Sequence, residues 1–165
     1  MHFSRPASLV AVLSLALVFG SCRSAGNTNS SETTGVRVGN SEPSNSVKSN
    51  AEELGNLVNM PYESDDVVWK QDSEGKRLIA VLLLSQADSA RLVAEAEKIK
   101  PGQPSTVSTE TWFPAELIAK GGLSGDDDLK GTAYVANEFL RDPYTNGRIT
   151  RVEGTDYFVL EADRQ

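Results

Sequence analysis

Histidine and cysteine are almost absent from this 165-residue chain, which has one of each, His2 and Cys22. Everything after position 22 therefore lacks both imidazole and thiol. Ser-His-Asp and Cys-His catalysis, histidine general bases, zinc sites with His or Cys ligands, haem, iron–sulfur clusters and disulfides are excluded from that part of the protein. No Gly-rich strand–helix junction of the phosphate-cradling kind occurs, so no cofactor is expected. Basic residues are outnumbered, with 16 Lys and Arg against 23 Asp and Glu. Loss of Arg5 with an N-terminal leader would take the formal net charge from −7 to −8. A surface so acidic repels phosphate backbones, and nucleic acid is not an expected partner.

What is present begins with that leader. Residues 1–6 carry the positive charge, and residues 7–19 (ASLVAVLSLALVF) form an apolar run of 13. This is the pattern of a signal peptide, expected over residues 1–21. The run is too short for a permanent transmembrane helix, which needs ~20 apolar residues to cross ~30 Å of hydrocarbon.

The leader ends in Val18-Phe19-Gly20-Ser21-Cys22. This end resembles the lipobox of bacterial lipoproteins, in which a Cys follows two small residues after an aliphatic one. Gly20, Ser21 and Cys22 match, and Phe19 stands where Leu is usual. The resemblance implies that the Cys22 thiol is joined to a diacylglycerol and that cleavage falls just before it. The new amino terminus is then open to a further acyl chain of the palmitate type, and two or three chains anchor firmly where one is marginal. It implies export and a membrane partner through the lipid, with the domain facing periplasm or exterior. Arg23 in place of the Asp of inner-membrane retention implies the outer membrane if the cell is Gram-negative. Without the resemblance, an ordinary secreted protein with Cys22 removed or left free is the alternative.

Residues 23–50 hold 18 Ser, Asn, Thr or Gly among 28 and no aromatic side chain. Such a stretch buries too little apolar surface to offset its ordering entropy. As a coil it would span roughly 30 Å. The expected organisation is a signal peptide over 1–21, a lipidated Cys22 and tether over 22–52, and one domain over 53–165.

Within that domain, Asp66–Lys70 and Lys76–Leu84 flank a polar loop whose Gly75 is placed for a hairpin turn. The unbroken apolar run Leu78–Leu84 predicts a strand covered on both faces. Ser85 predicts a helix cap for about 86–100, with Leu92, Val93, Ala96 and Ile99 as the buried stripe. Thr106–Phe113 reads as a strand, Pro114–Lys120 as a short helix, and Thr132–Leu140, Arg148–Glu153 and Asp156–Glu161 as further strands. The order ββαβ(α)βββ predicts an α+β fold with a small, mostly antiparallel sheet and helices on one face, the main helix among them.

Few residues carry candidate chemistry. Asp126-Asp127-Asp128-Leu129-Lys130-Gly131 partly imitates a calcium loop, with Asp126 and Asp128 as weak metal candidates. Lys130 stands where an oxygen ligand is needed and Asn137 where a bidentate Glu is needed, so a solvated acidic turn is the expectation. Ser73 and Lys76 have the serine–lysine spacing of penicillin-binding enzymes, but in a hairpin turn rather than at a helix start. Glu110 beside Trp112 could pair an acid with a sugar-stacking ring, although an outward strand Glu next to a core Trp explains the same letters. Trp69, Trp112, Phe113, Tyr134, Phe139, Tyr157 and Phe158 are core candidates. Tyr62 and Tyr144, each beside a proline, are expected in exposed loops that could contact a ligand.

Two functions fit these residues. One is a lipid-anchored cell-envelope protein whose domain is a non-catalytic binding or assembly module for an envelope protein or glycan. The other is a carboxylate-dependent hydrolase of envelope glycans, which needs two acids ~5 to 9.5 Å apart.

Overall fold

A computed structural model describes residues 46–164. The expected leader, Cys22 and the expected tether as far as residue 45 lie outside the described residues. The remainder is an α+β fold whose six strands form one open, fully antiparallel sheet. Along the chain come α1 (Ala51–Leu54), β1 (Asp66–Gln71), β2 (Arg77–Leu83), α2 (Gln86–Ile99), β3 (Gln103–Ser108) and α3 (Ala115–Ser124). After these follow β4 (Asp128–Val135), a 3₁₀ turn (Asn137–Phe139), β5 (Tyr144–Val152) and β6 (Tyr157–Arg164).

In space the strands run β1-β2-β6-β5-β4-β3, which departs from their expected succession. Hydrophobic matching explains the departure. β2 points Leu78, Ala80 and Leu82 to one face and Val81 to the other, all buried. Its second neighbour must therefore also be apolar on both faces. β6 supplies that with Tyr157, Phe158, Val159 and Leu160 in a row, all buried. Leu82 faces Phe158, Val81 faces Val159 and Ala80 faces Leu160. α2 meanwhile carries the chain away to β3 at the far edge, leaving this place beside β2 open.

The sheet is covered on both sides, so the expectation of helices on one face needs correction. α2 packs Leu92 and Ala96 with Trp69, Leu78, Leu82 and Phe158. α3 packs Leu117 with Val81, Leu129, Val152 and Val159 on the opposite face. Ser85 caps α2 as expected, accepting the Asp88 amide at 3.1 Å and donating its hydroxyl to the Asp88 carboxylate at 2.8 Å. The buried stripe, however, is Ser89, Leu92 and Ala96, while Ile99 is exposed.

Two strand boundaries moved for a shared reason. Trp112 and Phe113 both pack beneath α3, and neighbours in a strand point to opposite faces. The chain therefore leaves β3 at Ser108 and turns, with the Phe113 amide donating to the Glu110 carbonyl at 3.0 Å. Likewise Tyr134, Ala136 and Phe139 share one core. Strand alternation would send Glu138 inward instead of Phe139, and the 3₁₀ turn reverses that choice. Pro104 sits in β3, an edge strand where its missing N–H is tolerated.

Residues 48–54, composed like the end of a coil or little better, are docked. Lys48 exchanges two 2.8 Å backbone hydrogen bonds with Trp69 and lays its ammonium 4.8 Å from the indole centroid. The indole N–H donates to the Asn50 carbonyl at 3.1 Å, and Asn50 caps α1. Lys48 also pairs with Glu53. Trp69, at 0% exposure, thus anchors the start of the described residues. Among the described residues no helix is long and apolar enough to cross a membrane.

Two glycines test this packing in opposite directions. A Cβ on Gly131 would sit 2.2 Å from the Arg151 carbonyl oxygen across the β4–β5 pair, whereas one on Gly122 in α3 meets nothing within 4 Å. Gly131→Ala should cost about 1–3 kcal/mol. Gly122→Ala should raise stability by ~0.5–1 kcal/mol through helix propensity. Urea unfolding of both variants checks the opposite signs.

Candidate functional site

Glu110 and Trp112 belong to the turn between β3 and α3 rather than to a strand. They do meet. The indole N–H of Trp112 donates to the Glu110 carboxylate at 2.6 Å, and the Trp112 ring stands edge-on to Phe113 with centroids 4.7 Å apart. Both residues are half-buried. Glu110 borders a small cleft of about 150 Å³ shared with Lys70, Asp72, Arg77 and Ile79. The second acid there, Asp72, closes the β1–β2 hairpin by accepting the Lys76 amide at 2.7 Å. Desolvation pushes the Asp72 pKa upward, but amides of Lys76, Arg77, Glu74 and Gly75 together hold it below the ordinary carboxylate value. It is therefore an ionised structural cap at neutral pH, unsuited to donating a proton.

Beyond this cleft the same face of the sheet carries a polar shelf of about 530 Å³, lined by Arg77, Asn146, Gly147, Arg148, Glu161 and Asp163. Glu161, its side chain 12% exposed, accepts from Arg77 at 2.9 Å and from Arg148 at 2.6 Å. The hydrogen bond to Glu161 pushes the Arg148 pKa up against a smaller effect of desolvation. Sequence reasoning missed this cluster. Its members are 84 and 13 residues apart and become neighbours only through the β2-β6-β5 order.

A second, apolar-walled opening lies on the other side of the molecule. α1 and the loop after it form a cleft of about 420 Å³ with Leu54, Val58, Met60 and Leu82 in its wall and Glu52 and Arg141 among its polar groups. Tyr62 lines it. Its hydroxyl donates to Glu95 of α2 at 3.0 Å, and the ring is half-buried. Size and lining suit a ligand pocket. Arg141, exposed at the rim of this cleft, donates to the Asn59 side chain at 2.8 Å.

Tyr144 departs from expectation more sharply. It begins β5 with 1% exposure and does not contact solvent as a loop ring would. Its hydroxyl accepts from Gln71 at 2.8 Å and donates to the Gly75 carbonyl at 3.2 Å. Gly75 has φ +64°, as the hairpin requires. Tyr144 therefore ties the β1–β2 turn to β5 and is a structural residue.

Asp128 is the first residue of β4, and its carboxylate accepts the Ser108 hydroxyl at 2.8 Å. Asp126 is exposed beside Gly125, whose left-handed backbone ends α3. Among the described residues no group of three or more acidic, His or Cys side chains is gathered to hold a metal. Cys22 lies outside the described residues. Comparison with known proteins adds no assignment: no family model, curated protein or solved structure matches the chain.

The tyrosines give this geometry a titratable signature. Tyr62, Tyr134, Tyr144 and Tyr157 all have hydroxyls raised above 10.0, each chiefly by desolvation. A raised native pKa means that the folded state keeps its protons longer than the unfolded chain. Their contribution is fully present below 10.0 and is lost as pH climbs through the higher native values. Urea titrations between about pH 9 and about pH 11 should show stability falling. Tyr144→Phe should lower neutral stability by ~0.5–1.5 kcal/mol, by orphaning Gln71 and the Gly75 carbonyl, and should flatten the alkaline decline.

Proposed function

We propose that this chain is a lipid-anchored cell-envelope protein, exported and held to a bacterial membrane through Cys22, whose domain is a non-catalytic binding or assembly module. The Phe19-Gly20-Ser21-Cys22 end of the leader and the Ser/Asn/Thr/Gly-rich stretch behind it support the anchoring part. The observation that carries the non-catalytic part is the engagement of the best-placed acids. Glu110 is hydrogen-bonded by Trp112, Glu161 by two arginines, Asp128 by Ser108, and Asp72 by turn amides. A hydrolase pair needs one acid kept protonated and another free to attack or to activate water.

The cleft beside Tyr62 is where this reading puts the ligand. An apolar wall with a guanidinium at its rim suits a side chain or a sugar ring offered by an envelope protein or glycan. A tether multiplies weak binding of this kind by raising the local concentration of the domain near partners in the same envelope.

Fractionation of cells expressing the full chain tests the anchor. The parent should sediment with membranes and Cys22→Ser should be released, and an unchanged distribution would overturn the anchor. A turnover screen on envelope glycans tests the remainder. No product is expected, and turnover abolished by Glu110→Gln would install the hydrolase reading in its place.

A further inference from the structure

α3 is apolar on both its inner and its outer side, unlike the usual surface helix. Leu117 packs on the sheet and Gly121 lies against Thr109 and Asp127, both of them buried, yet the outer side is also apolar. Ala115, Ile118, Ala119, Gly122 and Leu123 are all exposed, Ile118 by 39% and Leu123 by 90%. At 100° per residue these five positions fall in one continuous stripe with no polar side chain inside it. Glu116 and Lys120 lie one turn apart along one flank of that stripe.

We propose that this stripe is a self-association surface, on which α3 of one molecule packs antiparallel against α3 of a second copy of this chain. Three features select a second copy as the occupant. The first is shape. A two-fold centred on Ala119 brings Leu123 of each copy opposite Ala115 of the other and sets Ala119 against Ala119, so the large side chain meets a small one and the helices can approach closely. The second is charge on the flank. In an antiparallel pair, equal flanks face each other, so Glu116 of one copy comes alongside Lys120 of the other, twice by symmetry. The third is charge at the ends. α3 begins at Pro114 with no side-chain cap, and exposed Asp126 and Asp127 follow its C-terminus. Antiparallel packing sets those carboxylates beside the uncapped, partially positive N-terminus of the other helix. The same acids weigh against an anionic membrane surface as occupant.

A ten-residue helix is about 15 Å long and offers less than the ~800 Å² per partner of a standard interface, so the pair is weak and concentration-dependent. The surface is independent of the lipid anchor, and its test is run without lipidation so that the two can fail separately.

The full chain carrying Cys22→Ser and a single new thiol, Ala119→Cys, is purified in mild detergent, oxidised gently and resolved under non-reducing conditions. The control places the thiol at exposed Thr106→Cys on β3 in the same background. Covalent dimer should form at position 119 about tenfold more than at 106, and adding Leu123→Asp should remove that excess. Glu116→Lys should weaken it, and Glu116→Lys with Lys120→Glu should restore it. Equal cross-linking at 119 and 106, or an excess at 119 that survives Leu123→Asp, would overturn the proposal. Circular dichroism of each variant confirms that a lost excess reflects the surface and not unfolding, since Leu123 makes no buried contact to lose.

Discussion

The fold depends on the pairing of β2 with β6. Both strands are apolar on both faces, and neither could be an edge without exposing a row of large side chains to water. Once they are joined, the remaining arrangement has little freedom. β1 continues the hairpin on one side, β5 continues the other hairpin on the other, and β4 and β3 complete the sheet outward with progressively more polar residues. The helices follow from the same pairing, because a central pair with two apolar faces needs a cover on each. α2 and α3 provide those covers from opposite sides.

The reach of the sequence can be read from particular residues. Gly75, Ser85 and the run Leu78–Leu84 act through the chain within a few positions of themselves, so the hairpin, the helix cap and the buried strand were legible. The position of β6 beside β2 was not, because it depends on a match between segments about 80 residues apart. Trp112, Phe113 and Phe139 misled the strand boundaries through one omission. Alternation along a strand sends adjacent residues to opposite faces, whereas Trp112 and Phe113 enter the same core. The proline and turn beside Tyr144 point to an exposed loop, whereas its hydroxyl is tied to Gln71 and Gly75, more than 60 residues away.

The candidate site was legible to a smaller degree. Glu110 and Trp112 were singled out as neighbours in sequence and are bonded to each other, but their bond explains their proximity without invoking a substrate. The arginines around Glu161 carry no motif at all. They form a site only after three strands are laid side by side, and a single sequence has no means of announcing that. Tyr62 gave a weak hint, an aromatic in a Pro-containing loop, and does line the apolar cleft.

The docking of Lys48 on Trp69 has a mechanical consequence. Residues 48 and 69 are joined in antiparallel register at the outer edge of β1, so the described chain begins at that edge. A pull transmitted from that direction loads the two Lys48 backbone bonds and the ammonium–indole contact first, then the cap and ion pair of α1. The β2–β6 pair lies one full strand further in and is shielded from the load until those contacts have given way. Under a load from that side, the edge contacts would therefore part before the hydrophobic centre is disturbed.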